Sequence, residues 1–195
     1  MIVAVAKDEA FNFAYPTNIQ DLSLLGEIVY FSPLYDGRLP SCDLLYLPGG
    51  YPELYAQQLN ENQTMRNNIK SFAENGGLIF AECGGFMYLC NNIDGVEMCG
   101  VFPYKATMAN ARLHLGYREM ELNGTLIRGH EFHYSDIRQE EQHSDITIKQ
   151  EQLTAKGTKT STSIYRYKNV IAGYTHWYWA ETGFQKTWLK ELNRK

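Results

Sequence analysis

Short apolar runs that end in glycine-rich turns constrain this chain more than any other feature. Ile2–Ala6 and Leu44–Leu47 are apolar without interruption, and 78–81 repeats the pattern. Strands that alternate apolar and polar residues have one wet face, whereas continuous runs belong to strands covered on both faces. Between them lie segments with helical spacing. Leu22 and Leu25 follow Asn18, which is expected to cap a short helix ending at Gly26. Met65, Ile69 and Phe72 mark one face of a second helix, with Asn75-Gly76-Gly77 as its stop. With a further strand at 28–31, the alternation predicts a doubly wound, mostly parallel α/β sheet flanked by helices. In such sheets, sites lie at the carboxyl ends of the strands.

Two Gly-Gly turns fall at those ends. The first is Pro48-Gly49-Gly50, and the second is within Ala81-Glu82-Cys83-Gly84-Gly85. A cysteine between an apolar run and two glycines has the layout of a nucleophile elbow, in which a sharp strand-to-helix turn presents the side chain over a helix N-terminus. That position is expected to lower the thiol pKa. A buried structural cysteine is the plain alternative, and the paired glycines argue against it. Phe86, Leu89, Cys90 and Ile93 continue at helical spacing after the elbow.

The later sequence differs. Shorter and more polar β segments are expected at 115–122, 126–134, 146–149 and Ile164–Tyr167, with 138–163 as a surface excursion. A last strand over 170–179 and a terminal helix over 182–193, with Phe184, Trp188 and Leu192 inward, complete the chain. At 195 residues it reads as a single domain over 1–195. Its net charge of -4 and scattered Lys and Arg argue against nucleic acid and anionic membrane as partners. No segment has membrane-spanning length. Four cysteines without zinc-like spacing suggest a reduced, cytoplasmic protein.

Cys83 requires a base, and there are five histidines. His143 falls in the polar excursion and His114 in an expected loop, both read as surface residues. His176 ends an apolar run at the active edge of the sheet and is the best-placed partner, giving a Cys–His pair suited to acyl transfer. The bare N–H groups of Gly49 and Gly50, with that of Gly84, are candidate donors to an oxyanion. His130 and His133 lie three apart on a strand, hence on opposite faces, and no metal site is expected.

Three strings in order, Leu47-Pro48-Gly49-Gly50-Tyr51-Pro52-Glu53-Leu54-Tyr55, Ala81-Glu82-Cys83-Gly84-Gly85-Phe86-Met87-Tyr88-Leu89 and Gly129-His130-Glu131-Phe132-His133-Tyr134-Ser135, resemble the class I-type glutamine amidotransferase domain of cobyrinic acid a,c-diamide synthases. The opening Ala4-Val5-Ala6-Lys7-Asp8-Glu9-Ala10-Phe11-Asn12-Phe13 fits as well. The resemblance implies a flavodoxin-like fold and L-glutamine as substrate. Cys83 would attack the side-chain amide, form a glutamyl thioester and release ammonia, with His176 as base. His133, Tyr134 and Ser135 would hold the glutamine backbone. The ammonia would pass to an ATP-dependent synthetase domain or subunit that amidates corrinoid acetate groups in cobalamin biosynthesis.

Three departures matter. Triad relatives carry an acid two residues after the base, where this chain has Tyr178; Glu181 is five residues on, so a dyad is expected. The fourth residue after the cysteine, often Gln in relatives, is Met87. No Gly-x-x-x-x-Gly-Lys-Ser/Thr phosphate loop is present, so ATP and Mg are expected only in a synthetase part that this sequence lacks. A separate glutaminase subunit and a piece of a longer protein both fit. Other acceptors such as a cell-wall precursor, a non-catalytic module, and a Cys-dependent hydrolase of the same fold are the alternatives.

Overall fold

The computed structural model describes residues 1–139, 147–149 and 152–193. Its centre is a seven-stranded sheet built from β1 (Ile2–Ala6), β2 (Glu27–Phe31), β3 (Leu44–Leu47), β4 (Leu78–Glu82), β11 (Thr147–Lys149), β12 (Ile164–Tyr167) and β13 (Val170–Gly173), in the order β11-β12-β13-β4-β3-β1-β2. The five strands from β13 to β2 are parallel, while β11 and β12 add antiparallel at one edge. The uninterrupted apolar runs are explained by this burial. Ala4, Ala6, Leu45, Leu47, Ile79 and Ala81 enter one core cluster, and their alternates Val3, Val5, Leu44, Tyr46 and Phe80 enter another on the opposite face.

Helices α2 (Ala56–Glu61), α3 (Gln63–Glu74) and α4 (Gly84–Leu89) supply residues to the first cluster; α1 (Pro16–Ser23) and α5 (Trp188–Leu192) supply the second. The expected face of α3 is buried through Met65 and Ile69, and Gly76 follows its end at φ 81°, in the left-handed region.

Two small sheets complete the fold. β5 (Cys90–Ile93), β6 (Val96–Glu97), β7 (Phe102–Thr107) and β10 (Asp136–Gln139) form one in the order β10-β7-β5-β6. β8 (His114–Leu122), β9 (Thr125–His133) and β14 (His176–Tyr178) form an antiparallel sheet in the order β14-β9-β8.

Several expectations are corrected. Asn18 does not cap α1; Tyr15 precedes the helix and Asn18 lies inside it, fully buried. Its amide instead donates to Trp177 O at 2.7 Å and accepts from Trp179 N at 3.2 Å, completing the free edge of β14. The helix after the elbow stops at Leu89. Cys90 to Ile93 form a strand, because the Asp94-Gly95 pair at positive φ turns the chain back into β6. His114 opens β8 instead of lying in a loop. The segment 170–179 is two strands in two sheets, broken at Tyr174-Thr175. The terminal helix is only α5, although Phe184, Trp188 and Leu192 are buried as expected. The polar excursion contributes β11 and the fully buried Gln152, which accepts from Thr175 Oγ1 at 2.6 Å. His143 and Ile146 lie outside the described residues.

Candidate active site

β4 delivers Cys83 to the carboxyl edge of the main sheet, where it takes φ 47° and ψ −106°. A non-glycine residue in that region costs on the order of 1–3 kcal/mol and persists only where surrounding bonds enforce it. Here Cys83 N donates to Gly173 O at 2.8 Å, Met87 N to Cys83 O at 3.0 Å, and Gly85 N to Pro48 O at 3.0 Å. The two Gly-Gly turns are packed against one another. A Cβ on Gly85 would lie 2.1 Å from Leu47 O, and one on Gly84 would lie 2.9 Å from Gly50 N. Only glycine allows α4 to approach so closely.

Cys83, His176, His130, Phe13, Gly50 and Phe132 line one cavity of about 270 Å³. Cys83 and His176 come from different sheets, β4 ending in one and β14 beginning in the other. The His176 ring lies edge-on to Phe13 at 4.6 Å and stacks on His130 at 5.0 Å. His130 Nδ1 lies 2.7 Å from the Tyr15 hydroxyl, and β14–β9 pairing sets His130 opposite His176. Gly49 abuts the imidazole, since a Cβ there would lie 2.2 Å from His176 Cε1.

The three expected oxyanion donors differ in availability. Gly49 N is already committed to Phe13 O at 3.1 Å, with Phe13 N returning a bond to Gly49 O at 3.0 Å. Gly50 lines the cavity, and the Gly84 N–H faces the Cys83 sulfur.

Electrostatically the site is dry. Burial pushes the Cys83 thiol up to about 12, with Glu53 adding to the rise and the Gly84 N–H opposing it. The expected lowering of the thiol pKa is therefore not found, because desolvation outweighs the short helix α4. Burial also pushes His176 down to about 3, helped by His130 and His133. Both groups rest neutral at pH 7. His176 Nδ1 has no hydrogen-bond partner among the described residues; Glu181 is exposed and Tyr178 packs edge-on to Tyr15 at 5.3 Å.

His133, Tyr134 and Ser135 do not line the cavity. Strand alternation turns His133 to the other face of β9, where it stacks on Tyr174 at 3.7 Å, with Nδ1 3.0 Å from Ser135 O. Ser135 Oγ is 2.7 Å from Tyr174 OH and also contacts the buried Met87 sulfur, while Tyr134 is exposed. Phe132 reaches the cavity in their place, its carbonyl 4.0 Å from Cys83 Sγ. Sequence reasoning missed Phe13, Tyr15 and Glu82. Glu82 alone had a visible signal, an acid inside an otherwise apolar strand.

Residues 2–184 match the model of the CobB/CobQ-like glutamine amidotransferase domain. The chain is 42% identical over 188 residues to the cobyrinate a,c-diamide synthase of Fusobacterium nucleatum, and 41% identical over 183 residues to that of Clostridium acetobutylicum. These alignments cover 90% and 89% of this chain but only 41% of each relative. Among solved structures, a glutamine amidotransferase superposes with TM-score 0.60 at 17% identity, covering 89% of each chain. PurLQS from Thermotoga maritima superposes with TM-score 0.60 at 18% identity, covering 90% of this chain and 86% of that one. These two likenesses establish the fold. The family match and the close relatives go further: the chain belongs to the CobB/CobQ-like glutamine amidotransferase domain family.

Proposed function

We propose that this chain is the glutaminase half of a cobyrinic acid a,c-diamide synthase. Cys83 Sγ attacks the carboxamide carbon of L-glutamine while His176 accepts the thiol proton. The tetrahedral oxyanion receives the N–H groups of Gly50 and Gly84. Collapse breaks the C–N bond, and His176 returns its proton to the departing nitrogen, releasing ammonia and leaving a glutamyl thioester. Water then hydrolyses the thioester, with His176 again taking a proton, to give glutamate and the free thiol. Ammonia passes to an ATP- and Mg-dependent synthetase half, which amidates corrinoid acetate carboxylates.

One observation carries the reading: a cysteine held at positive φ and a histidine line the same cavity. Burial disfavours either ion alone, so proton transfer and attack are coupled when glutamine fills the cavity. His130, Phe13 and Gly49 fix the imidazole, whose Nδ1 no carboxylate among the described residues bonds. His133 and Ser135 act from behind by fixing the end of β9 against Tyr174. The test is ammonia release from glutamine, with and without the synthetase half. Cys83→Ser and His176→Ala are each expected to lose several orders of magnitude in turnover. Wild-type turnover in either variant overturns the assignment.

A further inference from the structure

Glu82 directly precedes the nucleophile, yet its side chain points away from the cavity into the interior, where it is 2% exposed. Its two oxygens are both engaged. Oε1 accepts the Trp177 N–H at 2.8 Å, and Oε2 accepts the Tyr46 hydroxyl at 2.7 Å. Trp177 follows His176. The carboxyl group thus links the residue beside the nucleophile to the residue beside the base, across the boundary between two sheets.

We infer that Glu82 is a positioning residue that sets His176 relative to Cys83, its carboxyl taking the place of the strand that β14 lacks on its outer edge. Among the described residues β14 is the edge of its sheet and pairs only with β9, through His176 opposite His130 and Trp177 opposite Gly129. Its other edge is buried, and a buried backbone N–H needs a partner. Glu82 supplies one and Asn18 supplies the next at Trp179 N. Tyr46, on β3, holds the second oxygen and so prevents the carboxyl from turning. The main chain gives one tether between the sheets, where Gly173 pairs with Glu82 three residues before His176. Glu82 gives the second, and two tethers fix an orientation that one cannot.

Burial raises the Glu82 carboxyl to about 8, toward a protonated acid whose Oε2 hydroxyl and the Tyr46 hydroxyl share the 2.7 Å contact. Glutamine is its near-isostere: one oxygen can accept from Trp177 and the amide nitrogen can face the Tyr46 hydroxyl. Alanine leaves both donors buried and unpaired. Aspartate keeps the acid but shortens its reach by a methylene.

The inference rests on the Cys83–His176 reading, and Cys83→Ser separates the two. Steady-state glutamine hydrolysis is measured for wild type, Glu82→Ala, Glu82→Gln and Glu82→Asp, with near-ultraviolet circular dichroism to monitor folding. Misplacement of a reacting group by about 1 Å costs roughly 10²-fold, so Glu82→Ala should lose kcat on that scale with KM within about threefold. Glu82→Gln should retain kcat within about threefold. If Glu82→Ala does not fold, a loss in Glu82→Asp beside a normal Glu82→Gln carries the same conclusion. Equal kcat in wild type and a folded Glu82→Ala, or in Glu82→Gln and Glu82→Asp, overturns the inference alone when Cys83→Ser is inert. Turnover retained by Cys83→Ser overturns both readings.

Discussion

Gly49→Ala is the most direct test of whether the imidazole position limits the chemistry. An added Cβ would lie 2.2 Å from His176 Cε1 and 3.0 Å from Nδ1, whereas ordinary contact begins near 3.4 Å. The ring must retreat by about 1.2 Å, the difference of those two distances. Retreat is opposed by Phe13 edge-on at 4.6 Å and His130 stacked at 5.0 Å. A displacement of this size corresponds to about a 10²-fold loss in kcat/KM, or about 2.7 kcal/mol in the barrier. Overpacking adds about 1–3 kcal/mol of destabilisation. Gly37→Ala, where nothing lies within 4 Å of an added Cβ, is the control. Both variants would be assayed for glutamine hydrolysis and urea unfolding. A folded Gly49→Ala within threefold of wild type, matching Gly37→Ala, would refute the reasoning.

Other consequences are equally specific. Asn18→Ala removes the partners of Trp177 O and Trp179 N in a dry interior. Unfolding free energy should fall by about 2–4 kcal/mol, and a change under 0.5 kcal/mol by urea titration would contradict the edge-sealing role. Ser replacements of Cys42, Cys90 and Cys99 should retain turnover per folded molecule, since none of the three lines the cavity; loss in a folded variant would reassign the thiol chemistry. The pH dependence of stability separates by sign. His176 and His133 are held down to about 3 and about 4, so between those values and the ordinary histidine range the unfolded chain binds more protons. Their contribution is complete above about pH 6.5 and lost as pH falls, by up to about 1.4 kcal/mol per pH unit per group. Glu82 has the opposite sign: its folded carboxyl keeps its proton to about 8, so its contribution is lost as pH rises from the ordinary carboxyl range to that value. Glu82→Gln should therefore gain on wild type between pH 5 and 8 in urea midpoints, and parallel curves would dismiss the burial argument.

The parts of this fold readable from sequence are those where one local signal meets no competitor. Val3 to Ala6, Leu44 to Leu47 and Ile79 to Ala81 are apolar at every position, a pattern that fits strands covered on both faces. The elbow was legible because Cys83 is followed by two glycines that nothing else explains. The failures arise where a tertiary partner decides. Asn18 has the right side chain for a cap, but the unpaired edge of β14, some 160 residues away, claims it. Cys90 and Ile93 are buried as a helix would require, yet they sit on a strand whose register shifts between Cys90 and Asn92. The Phe11–Tyr15 loop and Tyr51-Pro52, which the sequence leaves equally open as a docking surface or as loop residues folded over the core, divide: Phe11 and Pro52 are buried, while Phe13 and Tyr51 are exposed beside the cavity. Periodicity cannot sort residues of an irregular loop, and no local pattern reports that Phe13 meets His176.

The burial that silences Cys83 also bears on survival in an oxidising cell. Peroxide attacks thiolates, and a thiol raised by burial keeps far less of that form at pH 7 than an ordinary cysteine does. Between turnovers the sulfur is stored as a poor target for sulfenylation, although it sits at a cavity wall. A nucleophile activated in advance by its helix would be exposed to that damage continuously. On the proposed mechanism, the desolvation that holds back proton transfer until glutamine arrives also shields the resting thiol.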